Sequence, residues 1–124
     1  MSVVIYWNDE NTLVTRFENT WSWGEYIDAA QAVAEMAADA DAPAALIYDF
    51  STSAGLPAHF FAHLPELDLL PVAENLTRIA VVCDTDSTRT ARRMLRLASR
   101  GRFTVLSAAT LERALAQLNR EQAA

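Results

Sequence analysis

The chain reads as an α/β domain in the order ββαβαβαβα, with helices flanking a mixed, mostly parallel sheet. Three observations carry this. Apolar runs of strand length alternate with amphipathic segments of helix length. The first two runs are separated only by Asn-Asp-Glu-Asn-Thr, so they pair as an antiparallel hairpin with a turn looser than the two-residue type. Residues 77–83, Thr-Arg-Ile-Ala-Val-Val-Cys, form a β-branched run suited to a strand covered by packing.

The hairpin strands are Val3–Trp7 and Leu13–Glu18. In the second, Leu13, Thr15 and Phe17 alternate with Val14, Arg16 and Glu18, and the first set is expected to face the core. Trp21-Ser22-Trp23-Gly24-Glu25-Tyr26 then starts a helix: Ser22 as N-cap, Glu25 completing a capping box, Trp21 stapling onto Tyr26. Along that helix, to about Ala40, the residues Trp23, Ile27, Ala30, Ala34 and Ala37 recur at helical spacing and are expected to be buried. Glu25, Asp28, Glu35 and Asp39 fall opposite, making an acidic outer face.

Ala44–Phe50 is the third strand, followed by a polar loop from Ser51 to Leu56 and a short helix opened by Pro57 and interrupted at Pro65. After the fourth strand, Asp84-Thr-Asp-Ser-Thr caps a helix from about Thr88 to Arg100, which Gly101 stops. Phe103–Leu106 is the last strand, and Thr110 caps a final helix to about Asn119. Parallel strands joined through helices imply right-handed crossovers.

The length, 124 residues, suits one domain spanning 1–124 with its own core. No apolar run approaches the roughly 20 residues of a membrane-spanning helix, and the first residues read as a strand and not a signal peptide, so a cytoplasmic location is expected. The net charge of −6 conceals a division: residues 1–74 hold 12 acids and one arginine, residues 75–124 nine arginines and four acids. An acidic total argues against nucleic-acid binding, which needs a basic surface to displace counterions, and leaves room for a local anion-binding face.

That face is the 88–100 helix, where Arg89, Arg92, Arg93, Arg96 and Arg100 share one side. Guanidinium forks suit carboxylates and phosphates, so the stripe fits an acidic protein surface or an anionic ligand. It also fits the acidic first helix of a second copy, in a homodimer that salt would weaken. His59, His63 and Glu66 fall on one helical side, but no further ligand completes a metal site and the Glu of the zinc-protease helix motif is missing, so no metal is expected. With three glycines there is no phosphate-cradling loop, and nucleophile and paired-carboxylate motifs are also absent. No catalytic residue and no cofactor is therefore predicted. Cys83 reads as a small buried residue.

With this element order, Trp21-Ser22-Trp23 at a helix start, Asp49-Phe50-Ser51 after the third strand and Asp84 ending the fourth, residues 3–118 resemble the STAS-like (anti-sigma-factor-antagonist-like) family, closest to its small stand-alone domains. The resemblance implies a bacterial, non-enzymatic regulatory module that binds partner proteins under phosphoserine control. Structurally related lipid-transfer domains imply the alternative of a small carrier for a fatty acid or other apolar anionic ligand, with Phe60, Phe61, Leu64 and the tryptophans lining a pocket. The loop after Asp49 corresponds to the region where phosphorylated members carry their serine at a helix start. Those members place an Asp-Ser-Ser-Gly type motif several residues beyond the strand, whereas here Ser51, Thr52 and Ser53 follow immediately, then Ala54-Gly55. Ser53, nearest the helix start, is the phosphorylation candidate, since a phosphate there would meet free backbone N–H groups. Ser51, Ser53, Phe61, Arg89, Arg92, Arg93 and Arg96 are the candidate binding residues.

Overall fold

The computed structural model describes residues 2–40, 44–51, 76–82 and 104–123. The helices expected over 57–70 and 88–100 lie outside these residues. Among the described residues five strands form one sheet in sequence order: β1 (Val3–Asp9), β2 (Thr12–Phe17), β3 (Ala44–Asp49), β4 (Leu76–Val82) and β5 (Thr104–Ala108). The pair β1/β2 is antiparallel and the other three pairs are parallel, so the sheet is mixed and mostly parallel. Two described helices flank it, α1 (Trp23–Ala38) and α2 (Leu111–Ala123).

The hairpin turn is tighter than its polar linker suggests. Asp9 pairs with Thr12, leaving Glu10 and Asn11 as the tip, and a register shift between Trp7 and Asp9 absorbs the extra residue as a bulge. The Asp9 carboxylate accepts the Asn11 N–H at 3.0 Å, a side-chain bond that holds the tip closed.

Side-chain alternation along β3 and β4 feeds two cores on opposite faces. Leu46, Tyr48, Ile79 and Val81 pack with Leu13, Phe17 and the α1 residues Tyr26, Val33 and Ala37. Ala45, Ile47, Ala80 and Val82 pack with Val14 and the α2 residues Ala114 and Leu118. β2 therefore has two buried faces: Leu13, Val14, Thr15 and Phe17 are all 1% exposed or less, which corrects the expectation that only its odd-numbered residues are covered. The reason is that both faces of the sheet are covered: Leu13 and Phe17 belong to the core under α1, and Val14 to the core under α2.

α1 starts as its sequence dictates. The Ser22 Oγ accepts the Glu25 N–H at 3.2 Å and the Glu25 Oε1 accepts the Ser22 N–H at 3.3 Å, a complete capping box. The Trp21 and Tyr26 rings lie 6.4 Å apart, the staple across the cap. Its buried stripe, however, is Tyr26, Ala29, Val33 and Ala37, while Ile27 is 37% exposed. The expected stripe is thus rotated by roughly one residue, about 100° of arc. Tyr26 sets the rotation, because its large ring belongs to the aromatic core, while alanines at Ala29, Ala30, Ala34 and Ala37 fit either alignment. At the other end of the chain, Thr110 Oγ1 accepts the Arg113 N–H at 3.2 Å as the α2 N-cap, and Arg78 of β4 donates to the Leu118 carbonyl at 3.1 Å, tying helix to sheet.

Candidate functional site

The carboxyl ends of parallel strands are where open α/β sheets present ligand-facing residues. At that end β3 finishes in Asp49, on the face shared with Ala45 and Ile47. The ladder places Arg16 of β2 on one side of it and Val82 of β4 on the other, and the Phe50 N–H continues the pairing to the Val82 carbonyl at 2.8 Å.

Asp49 is only 2% exposed, so its carboxylate needs partners to offset the loss of hydration. Its Oδ1 accepts the Ser51 N–H at 3.0 Å and the Ser51 Oγ at 2.6 Å, a short charge-assisted bond. Its Oδ2 faces the Arg16 Nε at 3.8 Å, an ion-pair separation beyond hydrogen-bond length. The Arg16 Nε is buried and has no hydrogen-bond partner among the described residues. The rest of the guanidinium reaches toward solvent: the side chain is 38% exposed, an Arg16 terminal nitrogen donates to the Tyr6 hydroxyl at 3.4 Å, and the charge sits 5.7 Å from the Tyr6 ring centre. The arrangement fixes the first residue of the loop after β3 and sets one cation beside it. Chemically it can orient a hydroxyl and present a guanidinium edge to an anion.

Ser51 is therefore brought to a built position, with Asp49 acting as its acceptor in the manner of a loop-capping aspartate. The remaining candidates, Ser53, Phe61, Arg89, Arg92, Arg93 and Arg96, lie outside the described residues, as do Asp84, Cys83, Phe60, Leu64, His59, His63 and Glu66. Sequence reasoning missed Arg16 and Tyr6. The available signal was that Arg16 is the one arginine in residues 1–74, set in an otherwise apolar strand. Among the described residues no group of His, Cys, Asp or Glu is arranged to hold a metal ion.

On the opposite face the aromatic residues pack on one another. Phe17 stacks on Phe50 at 4.6 Å and meets Trp21 at 4.6 Å, with Tyr26 and Tyr48 around it. The Tyr26 and Tyr48 hydroxyls are 3.0 Å apart and buried, each satisfying the other. Loss of hydration raises both above the ordinary tyrosine pKa, Tyr26 with a partial offset from its hydrogen bond, Tyr48 with the charge and hydrogen bond of Tyr26 adding to the rise. Trp21 is thus part of the core, whereas Trp7 is 37% exposed at the end of β1.

A five-stranded mixed sheet covered by helices on both faces, with polar residues gathered at the carboxyl end of its central strand, defines a small α/β domain. No family model matches the chain, and no curated protein matches it. It is similar to the crystal structure of an uncharacterized protein from the DUF3478 family with a SpoIIAA-like fold, from Shewanella loihica PV-4. The two share 17% sequence identity over 94% of this chain and 91% of that one, with a TM-score of 0.61. The protein has a SpoIIAA-like fold, the architecture of the STAS-like domains that its sequence resembles. No described helix is long and apolar enough to cross a membrane.

Proposed function

We propose that the protein is a non-enzymatic regulatory module of STAS-like type, which engages a protein partner through the loop that begins at Ser51. The observation that carries this is the clamp of the buried Asp49 on the Ser51 hydroxyl at 2.6 Å. It anchors the loop at the carboxyl end of the parallel strands, beside the exposed edge of Arg16. Ser51, held in place, is a preorganised origin for the residues that follow it in sequence, Thr52 and Ser53, and preorganisation favours binding. Phosphorylation of Ser53 would then add charge close to that origin and switch the partner on or off. The five arginines within residues 88–100 supply the guanidinium groups with which an acidic partner would pair.

The test is capture of the partner by immobilised protein, repeated with Ser53→Asp and with Arg92→Glu combined with Arg96→Glu. Both variants are expected to change recovery at least several-fold. Recovery unchanged by either would sink the proposal, as would turnover of a small compound by the purified chain.

A further inference from the structure

We infer that two copies of this chain associate through the open edge of β1, pairing antiparallel about a two-fold axis at Ile5 to make one continuous ten-stranded sheet. β1 is at the end of the strand order and, among the described residues, has a neighbour on one side only. Which of its backbone groups face the open side follows from one bond. The Glu18 N–H donates to the Ser2 carbonyl at 2.7 Å, so Ser2 and Glu18 form a hydrogen-bonded pair. Alternation along an antiparallel ladder makes Val4 with Arg16 and Tyr6 with Val14 hydrogen-bonded pairs as well. Val3, Ile5 and Trp7 lie in the intervening pairs, so their N–H and C=O groups turn toward the open edge.

That pattern selects both the occupant and the register. An antiparallel partner must offer outward groups at the same alternation, which a second β1 does when Ile5 meets Ile5 and Val3 meets Trp7 on each side of the axis. Each of these pairs exchanges both of its N–H···O bonds. A shift of one residue would set outward groups against inward ones, and a shift of two would lose a pair or bring Asp9 opposite Val3. The side chains agree: Ile5 meets its own copy, Trp7 crosses Val3, and Tyr6 crosses Val4, all β-branched or aromatic combinations that stabilise cross-strand contact. Val4 is 39% and Trp7 37% exposed, and β1 carries none of the lysines or prolines that block edge pairing. Its nearby charges, Asp9 and Glu10, both lie beyond Trp7, so antiparallel pairing sends the two acidic ends apart, whereas parallel pairing would stack them.

The salt response separates this dimer from one made by acidic helix against arginine stripe. α1 lies over β1 and β2 and exposes Asp28, Glu35 and Asp39, so the two-fold brings two acidic helices to one face of the joined sheet. Screening relieves that repulsion, and the dimer persists or strengthens as salt rises.

Light scattering coupled to gel filtration at several concentrations, in about 0.05 and 0.5 M salt, tests the assignment. The expected mass is twice the 13.7 kDa of one chain in both salts. Ile5→Pro removes an outward N–H that the hairpin itself does not use, and Val4→Lys puts a charge on an exposed edge position, so either should yield monomer with an unchanged far-UV circular dichroism spectrum. Val4→Lys keeps the test valid if Ile5→Pro fails to fold. A monomeric parent chain, a dimer that Val4→Lys leaves intact, or a dimer that dissociates at the higher salt each overturns the inference.

Discussion

Asp49 and the tyrosine pair show how single groups carry the two interiors. Asp49→Ala removes the acceptor of both Ser51 bonds and the counter-charge to Arg16, and should lower unfolding free energy by about 1–3 kcal/mol. Asp49→Asn, which retains an acceptor oxygen but no charge, should lose less; denaturant unfolding of the two variants compares the terms. Tyr48→Phe removes the hydrogen bond between the two buried hydroxyls and should cost about 1–3 kcal/mol, while Tyr26→Phe with Tyr48→Phe should cost less than the sum of the single changes. Because burial raises both hydroxyl pKa values, the unfolded chain releases these protons first as the solution becomes alkaline. Their contribution is fully present below about pH 10 and is lost progressively above it. Thermal unfolding followed from pH 8 upward should show this decline, and the double Phe variant should flatten it.

Helix starts were the most legible elements, because their chemistry is local. Ser22 and Glu25 meet within one turn of α1 and Thr110 meets Arg113 in the same way, so three or four adjacent letters determine each. Ser22→Ala should therefore destabilise the domain by about 1 kcal/mol, with Ser22→Asn close to the parent in denaturant midpoint. The rotation of α1 was not legible. Trp23, Ile27, Ala30 and Ala34 form as good an apolar stripe as Tyr26, Ala29, Val33 and Ala37, and periodicity alone ranks the two equally. The choice is made by Phe17 and Tyr48, which receive the Tyr26 ring 6.1 and 6.0 Å away. The hairpin tip shows the same limit: nothing in the polar linker reveals that Asp9 pairs with Thr12 across a register shift after Trp7.

Among the described residues two cores lie on either side of one sheet, with the strands as the layer between them. Leu13 belongs to the α1 side and Leu118 to the α2 side, both at most 2% exposed. Leu13→Ala and Leu118→Ala should each cost about 2–5 kcal/mol, and the double change should equal their sum within about 0.5 kcal/mol, since neither side chain shares a cavity with the other. A large departure from additivity, measured by chemical unfolding, would show that the layers are not independent.

Periodicity, caps and β-branched runs were enough to derive an α/β chain of this order and a mostly parallel sheet, because alternating strand and helix signals leave few ways to bury both. Ser51 was legible as part of the loop after the third strand for the same reason. Its anchoring was not, nor was the conjunction of Arg16, Tyr6 and Asp49. Arg16 and Asp49 are 33 residues apart and become neighbours only through the β2/β3 register, while Tyr6 joins them through the β1/β2 register. Register comes from packing both faces of the sheet at once, a condition that no local stretch of sequence contains.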